Sequence, residues 1–193
     1  MIDWLLQEDT ALFLYLNNLG SPTWDGFWMF YTAKFNWIPF YAFLLYLLFK
    51  NLTRKQFILM VFLIAFMVTF TDQITNLFKM NFERLRPCHN ESINQLMRIV
   101  RPGCGGRFGF FSGHASNSMA VAVFAGLMLK NKYRYAIYLL MLWSFGMAYS
   151  RVYIGVHYPL DILCGMLFGG FSGYLFYKLF IYLKAQLISK YKW

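Results

Sequence analysis

The chain has 193 residues, 59% hydrophobic, 22% aromatic and only 13% charged, with 18 Lys and Arg against 8 Asp and Glu for a formal net charge of +10. That length suits one domain, residues 1–193, but the charge content is about half the roughly 25% that a soluble domain carries, which excludes an ordinary soluble enzyme. Its hydrophobicity excludes a disordered chain, and basic residues spread along the sequence, not gathered into a patch, argue against a nucleic-acid partner.

A membrane helix needs about 20 mainly apolar residues. The opening segment, residues 1–20, mixes Asp3, Glu8 and Asp9 with leucines and lacks the basic start of a secretory signal, so it reads as an interfacial helix on the membrane surface. A first span is expected over Phe27 to Phe49, interrupted by Lys34, Asn36 and Pro39, and a second over Phe57 to Phe78, with Asp72 and Asn76 near its far end. A third runs from Gly113 to Leu129, a fourth from Tyr135 to Tyr149 and a fifth from Pro159 to Leu183. The expected fold is all-α, a multi-pass transmembrane helical bundle of five to six spans.

Lys and Arg concentrate in short cytoplasmic loops. Lys50, Arg54 and Lys55 separate spans one and two; Lys130, Lys132 and Arg134 separate three and four; Lys178, Lys184, Lys190 and Lys192 lie in or after span five. With these ten and the C-terminus cytoplasmic, the N-terminus, the loop 80–111 and the loop 151–158 share the outer face of the cell membrane. Cys88 and Cys104 both fall in the outer loop, as a disulfide of an oxidising compartment or as two free thiols; Cys164 reads as a buried apolar residue.

Three polar clusters meet span ends on that outer face. Lys79 closes span two and is followed by Arg86-Pro87; Phe111-Ser112-Gly113-His114 opens span three; Ser150-Arg151 closes span four, ahead of His157 and Asp161 at the start of span five. Phosphoryl transfer spreads negative charge over oxygens, and its catalysis rests on positioned cations and hydrogen-bond donors. Lys79, Arg86 and Arg151 supply the cations, and the N-termini of spans three and five favour an anion. Ser112 suits an N-cap, and Gly113 lets the backbone approach an oxyanion. Pro159 suits a first helical position, which lets Asp161 reach back to His157 and fix its tautomer. His157 is then the nucleophile through a phosphohistidine, and His114 the acid for the leaving oxygen. No metal or other cofactor is expected, because the site gathers basic residues where a metallophosphatase would gather carboxylates.

The series Lys79-x(6)-Arg86-Pro87, Ser112-Gly113-His114 and Ser150-Arg151-x(5)-His157-x(3)-Asp161 resembles the three-part signature of the type 2 phosphatidic acid phosphatase family, membrane lipid phosphate phosphatases related to vanadium haloperoxidases. The resemblance covers about Asp72 to Gly173. It implies a metal-independent enzyme with His157, Asp161 and His114 catalytic and Lys79, Arg86, Ser112, Gly113 and Arg151 binding phosphate. Phe111 departs from the family's usual Pro, which bears on loop shape and substrate fit.

The partner is thus a lipid phosphate within a membrane. The preferred substrate is undecaprenyl diphosphate, with phosphatidylglycerol phosphate, phosphatidic acid or lipid A phosphates as alternatives; a non-catalytic lipid transporter is the alternative class. Elsewhere, Asp72 is expected to support Lys79, Lys34 to snorkel or dock an anionic lipid, and His89 to be a solvated loop residue. Arg98, Arg101 and Arg107 either bind a headgroup or sit solvated, and Trp24, Trp28 and Trp193 read as interfacial anchors.

Overall fold

A computed structural model describes residues 2–191. Lys192 and Trp193, assigned above as a cytoplasmic lysine and an interfacial anchor, lie outside the described residues, as does the side chain of Lys190. The described residues form seven α-helices, with a long loop over 83–112: α1 (Ile2–Asn18), α2 (Pro22–Thr32), α3 (Ile38–Phe49), α4 (Arg54–Phe82), α5 (Gly113–Leu129), α6 (Ala136–Tyr153) and α7 (Pro159–Tyr191). Short 3-10 turns cover Lys34–Trp37 and Pro87–His89.

Local sequence sets the helix boundaries. Thr53 caps α4 in a capping box, its hydroxyl accepting from the Gln56 amide and the Gln56 side chain accepting from the Thr53 amide. Ser112 caps α5, and Pro159 occupies the first turn of α7. The expected first span is not one helix. α2 stops at Thr32, where Asn36 Nδ2 donates to Phe30 O at 2.8 Å and Trp37 Nε1 to Tyr31 O at 2.7 Å, satisfying carbonyls that a continuing helix would have used. Pro39 then sits in the first turn of α3, the position where its missing N–H costs nothing.

The core of the bundle is the contact between α5 and α7, and it is made by glycine. A Cβ at Gly165 would lie 2.6 Å from Ser112 O, and one at Gly169 or Gly173 would press on the backbones of Ser116 and Ala120. The Gly165-x(3)-Gly169-x(3)-Gly173 stripe thus brings two backbones together, the close approach by which small residues drive helix association in lipid. α4 and α6 flank this pair, and Met60, Met67, Phe124, Leu129 and Phe180 fill the interior.

The outward surfaces are apolar. Phe62 and Phe66 on α4, Leu139 and Leu142 on α6, and Leu167 and Phe171 on α7 are all exposed, as a hydrocarbon-facing surface requires. α4 and α7 are each long and apolar enough to cross a bilayer. α1 does not merely rest on the bundle: Phe13 and Asn17 are fully buried on one of its faces, with Asn17 Nδ2 donating to Tyr153 O at 2.9 Å and its Oδ1 accepting from the Arg98 amide at 2.7 Å. Trp28 is not a free interfacial anchor, since its ring packs on Tyr149 and Tyr153. Trp24 is exposed.

Candidate active site

Helices α4 and α6 end, and α5 and α7 begin, at one end of the bundle, so their polar termini converge there. His157 lies in the turn before α7 and is 2% exposed; Asp161, in the first turn, is 0% exposed. His157 Nδ1 and Asp161 Oδ2 are 3.3 Å apart, and the same carboxylate oxygen accepts from the Tyr158 amide at 3.1 Å, the reach-back of a third-position acid to a helix cap. With Nδ1–H donated to the carboxylate, Nε2 carries the lone pair, and it faces Arg86 Nη1 at 3.4 Å. Burial first, then the positive fields of Arg86, Arg151 and Lys79, hold His157 well below the usual histidine range, so the ring stays neutral at neutral pH.

Arg86 is positioned by the loop preceding α5. Its Nε donates to Phe108 O at 3.2 Å and its amide to Arg107 O at 3.1 Å, beside a single antiparallel bridge between Leu85 and Phe108. Cys88 and Cys104 form a disulfide in this loop, which resolves the two readings of those cysteines. Gly109 is wedged against the pair: a Cβ there would stand 3.1 Å from Asp161 Oδ2 and 3.5 Å from His157 Nδ1.

The remaining residues close around this centre. Ser112 accepts from the Ala115 amide at 3.5 Å, and its own amide donates to Asp161 O at 3.0 Å, stitching the start of α5 to that of α7. His114 follows in the first turn of α5, within electrostatic reach of Arg151, His157, Lys34 and Arg86. Gly113 lies beside Lys79, since a Cβ on it would be 3.7 Å from the Lys79 ammonium. Arg151 is only 3% exposed; its Nη1 donates to Thr32 Oγ1 at 2.7 Å, and its Nε has no partner among the described residues. A buried guanidinium N–H left unpaired fits an anion that supplies the missing acceptor.

Several assignments made on sequence change. Asp72 supports Lys79 through its charge and not through a bond: it accepts from Asn117 Nδ2 at 2.6 Å, and Lys79 donates to Asn76 Oδ1 at 3.3 Å. Asn117, one helical turn past the Ser112-Gly113-His114 motif, supplies the amide that Asp72 accepts from. Arg98 is neither a free solvated cation nor turned to a headgroup: half-buried, it pairs with Asp25 at 2.9 Å, and Asp25 in turn accepts from Tyr153 Oη. His89 is exposed, and Arg101 acts electrostatically on Arg86 and Arg151.

Two site residues escaped the motifs. Arg84 donates from Nη1 to Asp161 Oδ1 at 2.8 Å and from Nη2 to Asp9 Oδ2 at 2.5 Å, while Asp9 Oδ1 accepts from the Leu160 amide at 2.8 Å. Asp9, Phe13 and Asn17 recur at the four-residue spacing of one helix face, the one signal in the sequence that Asp9 turns inward.

From His114 an apolar cavity of about 520 Å³ leads between α3, α4 and α5. Lys34, Asp72 and Asn117 stand with His114 on its wall, and Leu44, Leu45, Leu48, Ile64, Val68 and Val121 line it farther along. Among the described residues no group of three His, Cys, Asp or Glu side chains is arranged to hold a metal ion.

A model of the PAP2 superfamily matches residues 60–185. The chain is 42% identical over 191 residues to a lipid A 4'-phosphatase of Bacteroides thetaiotaomicron, covering 98% of this chain and 84% of that protein. It is 33% identical over 191 residues to a lipid A 4'-phosphatase of Porphyromonas gingivalis, covering 97% and 79%. An undecaprenyl-diphosphatase of Sulfolobus acidocaldarius is 30% identical over 170 residues, covering 86% and 76%. The fold matches a crystal structure of a transmembrane PAP2 type phosphatidylglycerolphosphate phosphatase from Bacillus subtilis with a TM-score of 0.66, over 95% of this chain and 87% of that one, at 20% identity.

Proposed function

The chain belongs to the PAP2 superfamily and is a membrane phosphatase, and we propose that it removes the 4'-phosphate of lipid A through a phosphohistidine formed on His157. Likeness to lipid A 4'-phosphatases over nearly the whole chain exceeds that to the undecaprenyl-diphosphatase, so the preference for undecaprenyl diphosphate yields to the lipid A alternative. The observation that carries the chemistry is the division of the His157 ring: Nδ1 held by a buried carboxylate, Nε2 turned to an arginine.

In this reading Lys79, Arg86 and Arg151 hold the phosphate oxygens, with the Ser112 hydroxyl and the Gly113 amide at the positive end of α5. His157 Nε2 attacks phosphorus as the bond to the sugar oxygen breaks, and His114 gives that oxygen its proton. Asp161 balances the positive charge that grows on the ring. Water, giving a proton back to His114, then attacks the phosphohistidine; the P–N bond breaks, and inorganic phosphate and neutral His157 are regenerated. No step needs a metal, because three cations already face the transferring group.

The cavity beside His114 takes an acyl chain of the substrate, and Lys34 at its mouth meets the anionic headgroup. The site faces the outer side of the membrane: α4 to α7 each run between this site and the basic segments assigned to the cytoplasm. Phosphate release by the purified protein in detergent, from lipid A, undecaprenyl diphosphate, phosphatidic acid and phosphatidylglycerol phosphate, tests the reading. Lipid A is expected to be cleaved fastest, at the 4' position, unaffected by chelator and abolished in His157→Ala. Faster cleavage of undecaprenyl diphosphate would overturn the substrate, and strict magnesium dependence the mechanism.

A further inference from the structure

Asp9 and Arg84 touch no reacting atom, yet they end a continuous chain of charges that leads to one. Arg84 uses its two terminal nitrogens on two different carboxylates, Asp161 at 2.8 Å and Asp9 at 2.5 Å. Its guanidinium lies 4.1 Å from the centroid of the Tyr158 ring, which fixes its plane. Both carboxylates are buried, Asp9 at 6% and Asp161 at 0% exposure. Burying two carboxylates and one guanidinium away from water is costly unless every member is bonded, and here each is: Asp9 also takes the Leu160 amide, and Asp161 also takes the Tyr158 amide and His157.

The charge count shows what this chain does. Arg84 paired with Asp161 alone would cancel the carboxylate that must balance a charged imidazole ring. Asp9 restores one negative charge, so Asp9, Arg84 and Asp161 together carry −1 behind His157. We propose that Asp9 and Arg84 are positioning residues for the phosphoryl transfer: Arg84 fixes the orientation of Asp161, Asp9 preserves its effective charge, and helix α1 is thereby part of the catalytic apparatus. The inference rests on the reading of His157 as nucleophile.

Asp9→Asn is the sharpest variant, because its amide oxygen still caps Leu160 while the charge is gone. Steady-state kinetics of the full chain in detergent should show kcat for lipid A reduced about tenfold in Asp9→Asn and about 100-fold in Arg84→Gln, with KM within threefold, since the loss falls on orientation and charge and not on binding. Arg84→Lys, which reaches only one carboxylate, should fall between them. The double variant should match Arg84→Gln, because the two residues act through one path. Asn17→Ala is the structural control: it loosens α1 from the end of α6 without touching the charged chain, and it should lower the melting temperature with kcat within twofold of the parent. A kcat within twofold of the parent in Asp9→Asn and Arg84→Lys, with His157→Ala inactive, would overturn the proposal while leaving the nucleophile in place. An equal loss of kcat in Asn17→Ala would reduce Asp9 to a structural clamp. Activity surviving in His157→Ala would overturn both the nucleophile and the chain behind it.

Discussion

Helix α5 meets its neighbours in opposite ways on its two sides. Toward α7 the contact is made by glycines, so close that a single methyl group at Gly169 would collide with the Ser116 backbone. Toward α3 and α4 the same helix lines an open apolar cavity. The tight side sets the relation of Ser112 to Asp161, linked at 3.0 Å, and so fixes the carboxylate that holds His157, the proposed nucleophile. The open side leaves room beside His114, where the proposed mechanism places the leaving group. A phosphatase for a lipid needs both in one helix: rigidity where a proton and a phosphoryl group are aimed, and space where a hydrocarbon chain is admitted.

The largest effect is expected at His157, the proposed nucleophile. His157→Ala should lower kcat by about 10⁴-fold or more with the fold intact, because no other group replaces the lost P–N bond. Gly169→Leu attacks the tight side and should cost about 3 kcal/mol of stability, with loss of activity toward every substrate, read as a lowered melting temperature and phosphate release. Leu45→Trp fills the open side from α3 and should raise KM for lipid A about tenfold while leaving hydrolysis of p-nitrophenyl phosphate unchanged. A similar loss toward both substrates would show that the two sides of α5 are not separable.

The smallest effect is one of pH. His157 is held neutral in the folded protein, below an ordinary value of about 6.5, so below that pH the unfolded chain binds a proton that the folded one refuses. Stability should therefore fall as pH drops through about 6.5, by up to about 1.4 kcal/mol per pH unit from this group until its folded value is reached. Melting temperatures at pH 7.5 and 5.5 should differ more for the parent than for His157→Asn.

What the sequence disclosed follows from where physics acts locally. His157 and Asp161 are four residues apart at a helix start, and Ser112 is an N-cap, so their relation is written in their spacing. The glycine stripe of α7 was equally open to reading, at four-residue intervals from Gly165 to Gly173. The break at residues 33–37 was harder: Lys34, Asn36 and Pro39 marked an interruption, but only the bonds from Asn36 and Trp37 back to α2 make it a helix end. Asp9 and Arg84 could not be paired from sequence, because 75 residues separate them and only the shared spacing with Phe13 and Asn17 sets Asp9 apart from Asp3 and Glu8 as the buried acid. The hydrogen-bond partner of Asp72 is hidden for the same reason, since Asn117 lies 45 residues away on another helix.

The central claim is that phosphate passes through His157. Rapid mixing of the protein with lipid A radiolabelled in its 4'-phosphate, followed by an alkaline quench that preserves phosphohistidine, tests it directly. Label is expected on the peptide that carries His157, formed and lost at rates that match turnover, and none in His157→Ala. Turnover with no label on the protein, or label on any other residue, would contradict it.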